Sequence, residues 1–123
     1  VSSIYGVVAP DQRIYNKSIN LYNNSDNFSS PISYGISKSS VINITKYLAS
    51  YYREKNMRIN CITPGGVFDN HDKKFVKNYS EKTLLGRMAK KDEYNQAILF
   101  LCSDASSYMT GSNLIIDGGW TAI

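Results

Sequence analysis

The stretch Ser30-Pro31-Ile32-Ser33-Tyr34-Gly35-Ile36-Ser37-Lys38 opens the strongest helical pattern in the chain. Pro31 suits a first helical turn, where its missing N–H is no loss, and Ser30 is placed to cap it. The pattern predicts a helix from Pro31 to about Tyr52, with Glu54 to Met57 as its exit. Four residues apart, Tyr34 and Lys38 share a helix face, so an ammonium can sit beside a phenol. The nearby helix N-terminus also favours a phenolate. The pair therefore suits proton exchange with an oxygen atom.

A tyrosine and a lysine at this interval also arise by chance in a chain with ten tyrosines, and Tyr51 and Lys55 repeat the pattern. Position distinguishes the two pairs. The apolar spacing of Val41, Ile44, Leu48 and Tyr51 or Tyr52 marks a core-facing stripe, which assigns Tyr51 to packing. Tyr34 stands at the other end of the helix.

Working outward, Ser2-Ser3-Ile4-Tyr5-Gly6 precedes the tyrosine run. Asn60-x-x-x-Pro64-Gly65 follows it, and Ser106-x-x-x-Thr110-Gly111 with Asp117-Gly118-Gly119 closes the chain. Four motifs in one order are far more specific than any one of them. The order resembles the second half of a short-chain dehydrogenase/reductase, over nearly the whole chain except Val8 to Ser29. Gly86-Arg87-Met88, the helix to Cys102 and the ending Asp117-Gly118-Gly119-Trp120 resemble the compact, single-domain branch. The interval from Ser3 to Tyr34 is longer than that branch usually has. It is similar to the extended branch of nucleotide-sugar epimerases and dehydratases, which is the alternative enzyme reading. A noncatalytic oligomerising or binding relative is the alternative of a different class, since fold alone does not establish activity.

The resemblance implies an oxidoreductase that uses NAD or NADP to interconvert a carbonyl and an alcohol. It assigns Ser3 to a hydrogen bond with the substrate carbonyl, Tyr34 to the acid/base and Lys38 to the ribose hydroxyls of the cofactor. A tyrosine at its ordinary value near 10 is a poor base at neutral pH, and Lys38 supplies the neighbouring cation. Pro64, Gly65, Gly66 and Val67 would form the loop beside the nicotinamide, with the glycines letting the backbone approach the ring. Asp69 stands where many relatives carry a threonine, and a carboxylate there would meet cofactor phosphates unfavourably. The residues that separate NAD from NADP, and the family's assisting asparagine, would lie upstream of Val1.

The alternation of helix and strand implies an α/β fold with a doubly wound, parallel sheet. Val1 reads as the end of a buried strand that turns at the serine motif. Arg58 to Thr63 reads as a strand ending in a sharp turn at Pro64-Gly65-Gly66, and Asn113 to Ile116 as the last strand. Asp72 to Lys82 is expected as a short, charged, mobile helix. Asp92 to Cys102 reads as a second secure helix with Ala97, Ile98 and Leu101 on its apolar face. Residues 1–123 are thus read as the C-terminal catalytic part of one Rossmann-like domain whose N-terminal dinucleotide-binding half is missing, a piece expected to be inactive alone. Residues 8–29, rich in Asn and Ser with Tyr15, Tyr22 and Phe28 interspersed, are read as a loop insertion bordering the substrate pocket. That composition suits a sugar-derived substrate.

The chain has 123 residues and a net charge of +4, with a pI near 9.0. Its basic residues are scattered, and Lys73-Lys74 and Lys90-Lys91 adjoin Asp72 and Asp92, which reads as a solvated surface rather than a nucleic-acid interface. Cys61 and Cys102 sit in apolar runs without metal-ligand spacing, so buried reduced thiols in a cytoplasmic protein are expected and no metal site is. No apolar run is long enough for a membrane span. His71, in a polar stretch, is assigned to the surface. Val41, Ile42, Tyr47 and Tyr52 place apolar residues on more than one helix face, which together with the resemblance implies a homotetramer or homodimer.

Overall fold

A computed structural model describes residues 1–21 and 28–123. Two short parallel strands form its sheet: β1 (Cys61–Pro64) pairs with β2 (Asn113–Ile116), with Cys61 opposite Asn113 and Pro64 opposite Ile116. The parallel register requires a crossover, which α2 (Lys73–Ser80) and α3 (Asn95–Cys102) supply. The long helix α1 (Ile32–Tyr51) lies before β1 in sequence. This is the α/β arrangement expected of part of a Rossmann fold.

The late motifs are staples. Asn60 donates its amide to the Met109 carbonyl and accepts from the Ser112 N–H, fixing the entries of both strands. Thr63, fully buried, donates to the Asn113 side-chain oxygen at 2.6 Å. Arg58 donates to the carbonyls of Leu101, Ser103 and Met109 and to the Ser106 hydroxyl, tying off the end of α3. Asp117 accepts from the Gly119 and Thr121 amides and from the Thr121 hydroxyl, which closes the last turn.

Several elements differ from the sequence reading. Val1 to Ser3 is not a strand, although the Ser2 N–H donates to the Ile62 carbonyl alongside β1, and a single 3-10 turn follows at Ile4–Gly6. Pro31 caps α1 in extended conformation and no side chain caps its amides. Ser30 is engaged elsewhere: its N–H and carbonyl pair with the Gln12 side chain. In α1 the buried residue is Thr45, whereas Ile44 and Tyr51 are 53% and 67% exposed. Tyr51 stacks on Tyr47 rather than entering the core. The stripe is apolar, but the described elements cover a different face. α3 begins at Asn95 rather than Asp92, and none of its residues is fully buried. Cys61 is buried as expected, but Cys102 is exposed at the end of α3, and both thiols are free.

β1 buries Cys61 and Ile62, and the larger apolar cluster lies outside the strands. Ile4, Tyr5, Ile14, Tyr15, Phe75, Tyr79, Met88 and Trp120 form one buried cluster. Burying each such side chain contributes about 1.5–3 kcal/mol. Ile14 and Tyr15 come from the segment expected to be an insertion, whose described part carries a 3-10 turn at Gln12–Tyr15 and contributes to this core. Helix α2 is charged outside and buries Phe75 and Tyr79; Asp72 caps it by accepting from the Lys74 and Phe75 amides.

Candidate active site

The amino-terminal turn and α1 meet more closely than two ordinary elements. The Ser2 hydroxyl, buried, donates to the Lys38 carbonyl at 2.7 Å. A Cβ on Gly6 would lie 2.7 Å from the Lys38 carbonyl group, so only glycine permits this approach. Two turns of α1 thereby carry Tyr34 and Lys38 past Ser3.

Ser3, Tyr34 and the turn Pro64, Gly65, Gly66 and Val67 line one cleft of ≈ 820 Å³. Ser3 Oγ accepts the Tyr5 N–H at 3.3 Å, which leaves its own O–H to donate elsewhere. Tyr34 is 40% exposed at the cleft wall. Lys38 does not line the cleft. Its ammonium lies 5.6 Å from the centre of the Tyr34 ring and donates to the Val1 carbonyl at 3.4 Å. The structure thus brings Ser3, Tyr34 and the glycine turn together, with Lys38 as the flanking charge.

The two glycines also face tight packing within the protein. A Cβ on Gly65 would stand 2.9 Å from the Asp117 backbone, and one on Gly66 would stand 2.7 Å from the Tyr79 ring. Packing within the protein already demands both. Tyr79 accepts the Gly66 N–H, and burial, the larger influence, pushes the Tyr79 phenol up to about 12 despite that bond. Tyr94 donates to the Gly65 carbonyl, so the turn is held from two sides. A bridge between Val67 and Ala89 uses the Gly66 carbonyl and the Phe68 N–H and leaves out the Val67 N–H.

The rest of the cleft is aromatic and polar by turns. Tyr15, Phe28 and Phe75 pack on one another along one wall, with Asn20, Ser29 and Asn70 nearby on its lining. Tyr22 lies outside the described residues. His71, read from sequence as a surface residue, is half-buried and lines the cleft, packed against Phe75 at 5.3 Å. Its Nδ1 accepts the Asp69 N–H. A single histidine in a polar run carries no sequence signal for that placement. Asp69 itself pairs with Lys91 at 2.8 Å, and that bond holds its carboxyl below the ordinary range. The partner offsets the charge that made this position unfavourable. Tyr5 also lines the cleft, and burial first, then the Tyr15 hydroxyl, pushes its phenol far above the ordinary range, so it stays protonated at neutral pH.

Residues 18–121 match the family model described as enoyl-(acyl carrier protein) reductase. The chain belongs to the short-chain dehydrogenase/reductase family. A short-chain dehydrogenase from Leptospira borgpetersenii, solved with bound NAD+, is 42% identical and superposes with a TM-score of 0.84 over 98% of this chain and 42% of its own. A 3-oxoacyl-[acyl-carrier-protein] reductase FabG from Thermotoga maritima is 41% identical over 90 residues, 70% of this chain and 37% of that protein. An NADP-dependent mannitol dehydrogenase from Aureobasidium melanogenum is 38% identical over 94 residues, 73% of this chain and 35% of that protein. The short-chain dehydrogenase/reductase segment seen here thus spans about a third of the length of these curated relatives. Among the described residues no helix is long and apolar enough to cross a membrane, and no group of His, Cys, Asp and Glu side chains could hold a metal ion.

Proposed function

We propose that this chain is the catalytic part of an NAD- or NADP-dependent oxidoreductase that interconverts a carbonyl and an alcohol, with Tyr34 as the acid/base. The observation that carries this reading is the convergence of Ser3, Tyr34 and the Pro64 to Val67 turn on one cleft, with the Lys38 ammonium 5.6 Å from the Tyr34 ring. Upstream residues supplying the dinucleotide-binding half belong to the same proposal; this piece alone is expected to be inactive.

The residues present fit a nicotinamide nucleotide. The Val67 N–H, unused by its bridge, can meet a carboxamide oxygen, and Lys38 has donors beyond the one given to Val1 for ribose hydroxyls. When bound, the nicotinamide supplies hydride exchange with the substrate carbon. The chain's own work is with oxygen and its proton. Ser3 donates its hydroxyl hydrogen to the substrate oxygen. Tyr34 delivers its phenolic proton to that oxygen as it becomes an alcohol, and removes it in the reverse direction. Lys38 holds positive charge beside the phenolate so formed. Replacing Tyr34 with Phe in the full-length protein and measuring turnover with NADH and NADPH tests the assignment.

A polyhydroxylated, sugar-derived substrate suits the cleft. The rings of Tyr15, Phe28 and Phe75 can cover the apolar face of such a molecule while the Asn20 and Asn70 amides and the Ser29 hydroxyl bond to its hydroxyls. The mannitol dehydrogenase among the relatives agrees with this class. The measurement is kcat/KM for a panel of sugar-derived and simple aliphatic carbonyls before and after Phe28→Ala. Equal losses across the panel would remove the sugar assignment and leave the oxidoreductase.

A homotetramer or homodimer is supported by the exposed Ile32, Ile36, Ile44 and Tyr47 on α1. Light scattering of the full-length protein at micromolar concentration decides, and a monomer would count against it. A cytoplasmic location accords with the two free thiols.

A further inference from the structure

We propose that Tyr5 is a positioning residue for Tyr34, anchored by Tyr15 of the insertion; the inference rests on Tyr34 as the acid/base. Tyr5 lies in the single turn Ile4–Gly6, two residues beyond Ser3. Its N–H orients one hydroxyl of the site by donating to Ser3 Oγ. Its ring braces the other, meeting the Tyr34 ring edge-on with centroids 6.3 Å apart and planes at 85°.

The brace is itself fixed from behind. Trp120 meets the Tyr5 ring at 6.4 Å and 70°, and the Tyr15 hydroxyl bonds the Tyr5 hydroxyl at 3.4 Å. Tyr15 in turn packs against Phe28 at 4.7 Å and stacks on Phe75 at 5.6 Å. A continuous set of rings therefore runs from the insertion and α2 to the edge of Tyr34. Tyr34 needs such a neighbour: its ring stands at an open cleft, free on one side to leave the rotamer that reaches the substrate oxygen. Because Tyr5 stays protonated, it braces the acid/base without competing for the proton.

The test uses the full-length protein with Tyr5→Leu, Tyr5→Phe and Tyr15→Phe, and Tyr34→Phe as reference. Tyr5→Leu is expected to lower kcat about tenfold or more while KM for the nicotinamide nucleotide moves less than about twofold. Tyr5→Phe, which keeps the ring but loses the anchoring bond to Tyr15, should reduce the loss to about two- to fivefold. Without cofactor, the NMR ring signals of Tyr34, identified by their disappearance in Tyr34→Phe, should shift in Tyr5→Leu and move much less in Tyr5→Phe. Should Tyr5→Leu not fold, Tyr15→Phe deletes only the anchoring hydroxyl and is expected to lower kcat about two- to fivefold at constant KM. Unmoved Tyr34 signals, an unchanged kcat, or a loss that Phe does not rescue would overturn the proposal. Failure of the underlying reading is distinct, since Tyr34→Phe would then keep its activity.

Discussion

The Ser2 hydroxyl donates to the Lys38 carbonyl across 2.7 Å and 36 positions of sequence, tying the amino-terminal turn to the backbone of α1. Ser2→Ala removes the donor, while the carbonyl keeps its place in the helix ladder. A loss of about 1 kcal/mol is expected, as for a typical buried hydrogen bond. It should appear as a lower denaturant midpoint at unchanged slope. No movement of the midpoint would mean that the Gly6 contact alone seats the helix.

Tyr34→Phe should reduce kcat by more than tenfold, at least about 1.4 kcal/mol of transition-state energy. Tyr51→Phe provides the contrast, because Tyr51 is a largely exposed ring on the far turn of α1. It should retain activity. A smaller loss for Tyr34→Phe removes the acid/base assignment whatever the control does.

Gly65→Ala and Gly66→Ala probe the turn sterically, the second against the Tyr79 ring and its hydroxyl. Each adds one methyl where the Asp117 backbone or the Tyr79 ring already stands closer than 3.0 Å. Overpacking of this kind costs about 1–3 kcal/mol. Thermal unfolding measures it, and wild-type Tm in both variants would show that the turn has room to yield.

Acid should loosen two places in particular. Bonds from Arg87, then from the Lys90 N–H, hold the Glu93 carboxyl down at about 2, and bonds from Arg13 and then Lys82 hold Asp11 lower still. Because the folded values are depressed, this stability is complete above the ordinary carboxylate value near 4 and disappears as pH falls through the folded values. Tm should therefore drop between about pH 4 and 2. Glu93→Gln and Asp11→Asn should each flatten that slope, and curves parallel to wild type would rule the carboxylates out as its source.

The backbone pattern was largely legible from sequence, the coverage of its faces less so. β2 occupies Asn113–Ile116 as read, and α1 runs Ile32–Tyr51 inside the expected Pro31 to Tyr52, because apolar spacing and the proline turn act locally. Burial depends on what lies opposite. Nothing in the spacing of Ile44 and Tyr51 reveals that the amino-terminal turn would pack on another side of their helix. Likewise Ser30 lost its capping role to Gln12, a partner 18 positions away. Tyr15 and Ile14 looked like residues of an irregular loop, yet their burial makes them core. Ser3, Tyr34 and the Pro64 to Val67 turn were legible through ordered motifs, whereas Tyr5 and His71 entered the cleft through tertiary packing that no motif encodes.

The seat of α1 uses the carbonyl of residue 38, which Ser2 and Gly6 both touch, more than its side chain, which adds one 3.4 Å bond to the Val1 carbonyl. Architecture and charge at this position are consequently separable in evolution. Under the proposed reaction, a single codon change that replaced the ammonium would keep the Ser2 and Gly6 contacts with the helix backbone while removing the charge beside Tyr34. Descendants of this chain could in this way become inert binders in one step, without first passing through an unfolded intermediate.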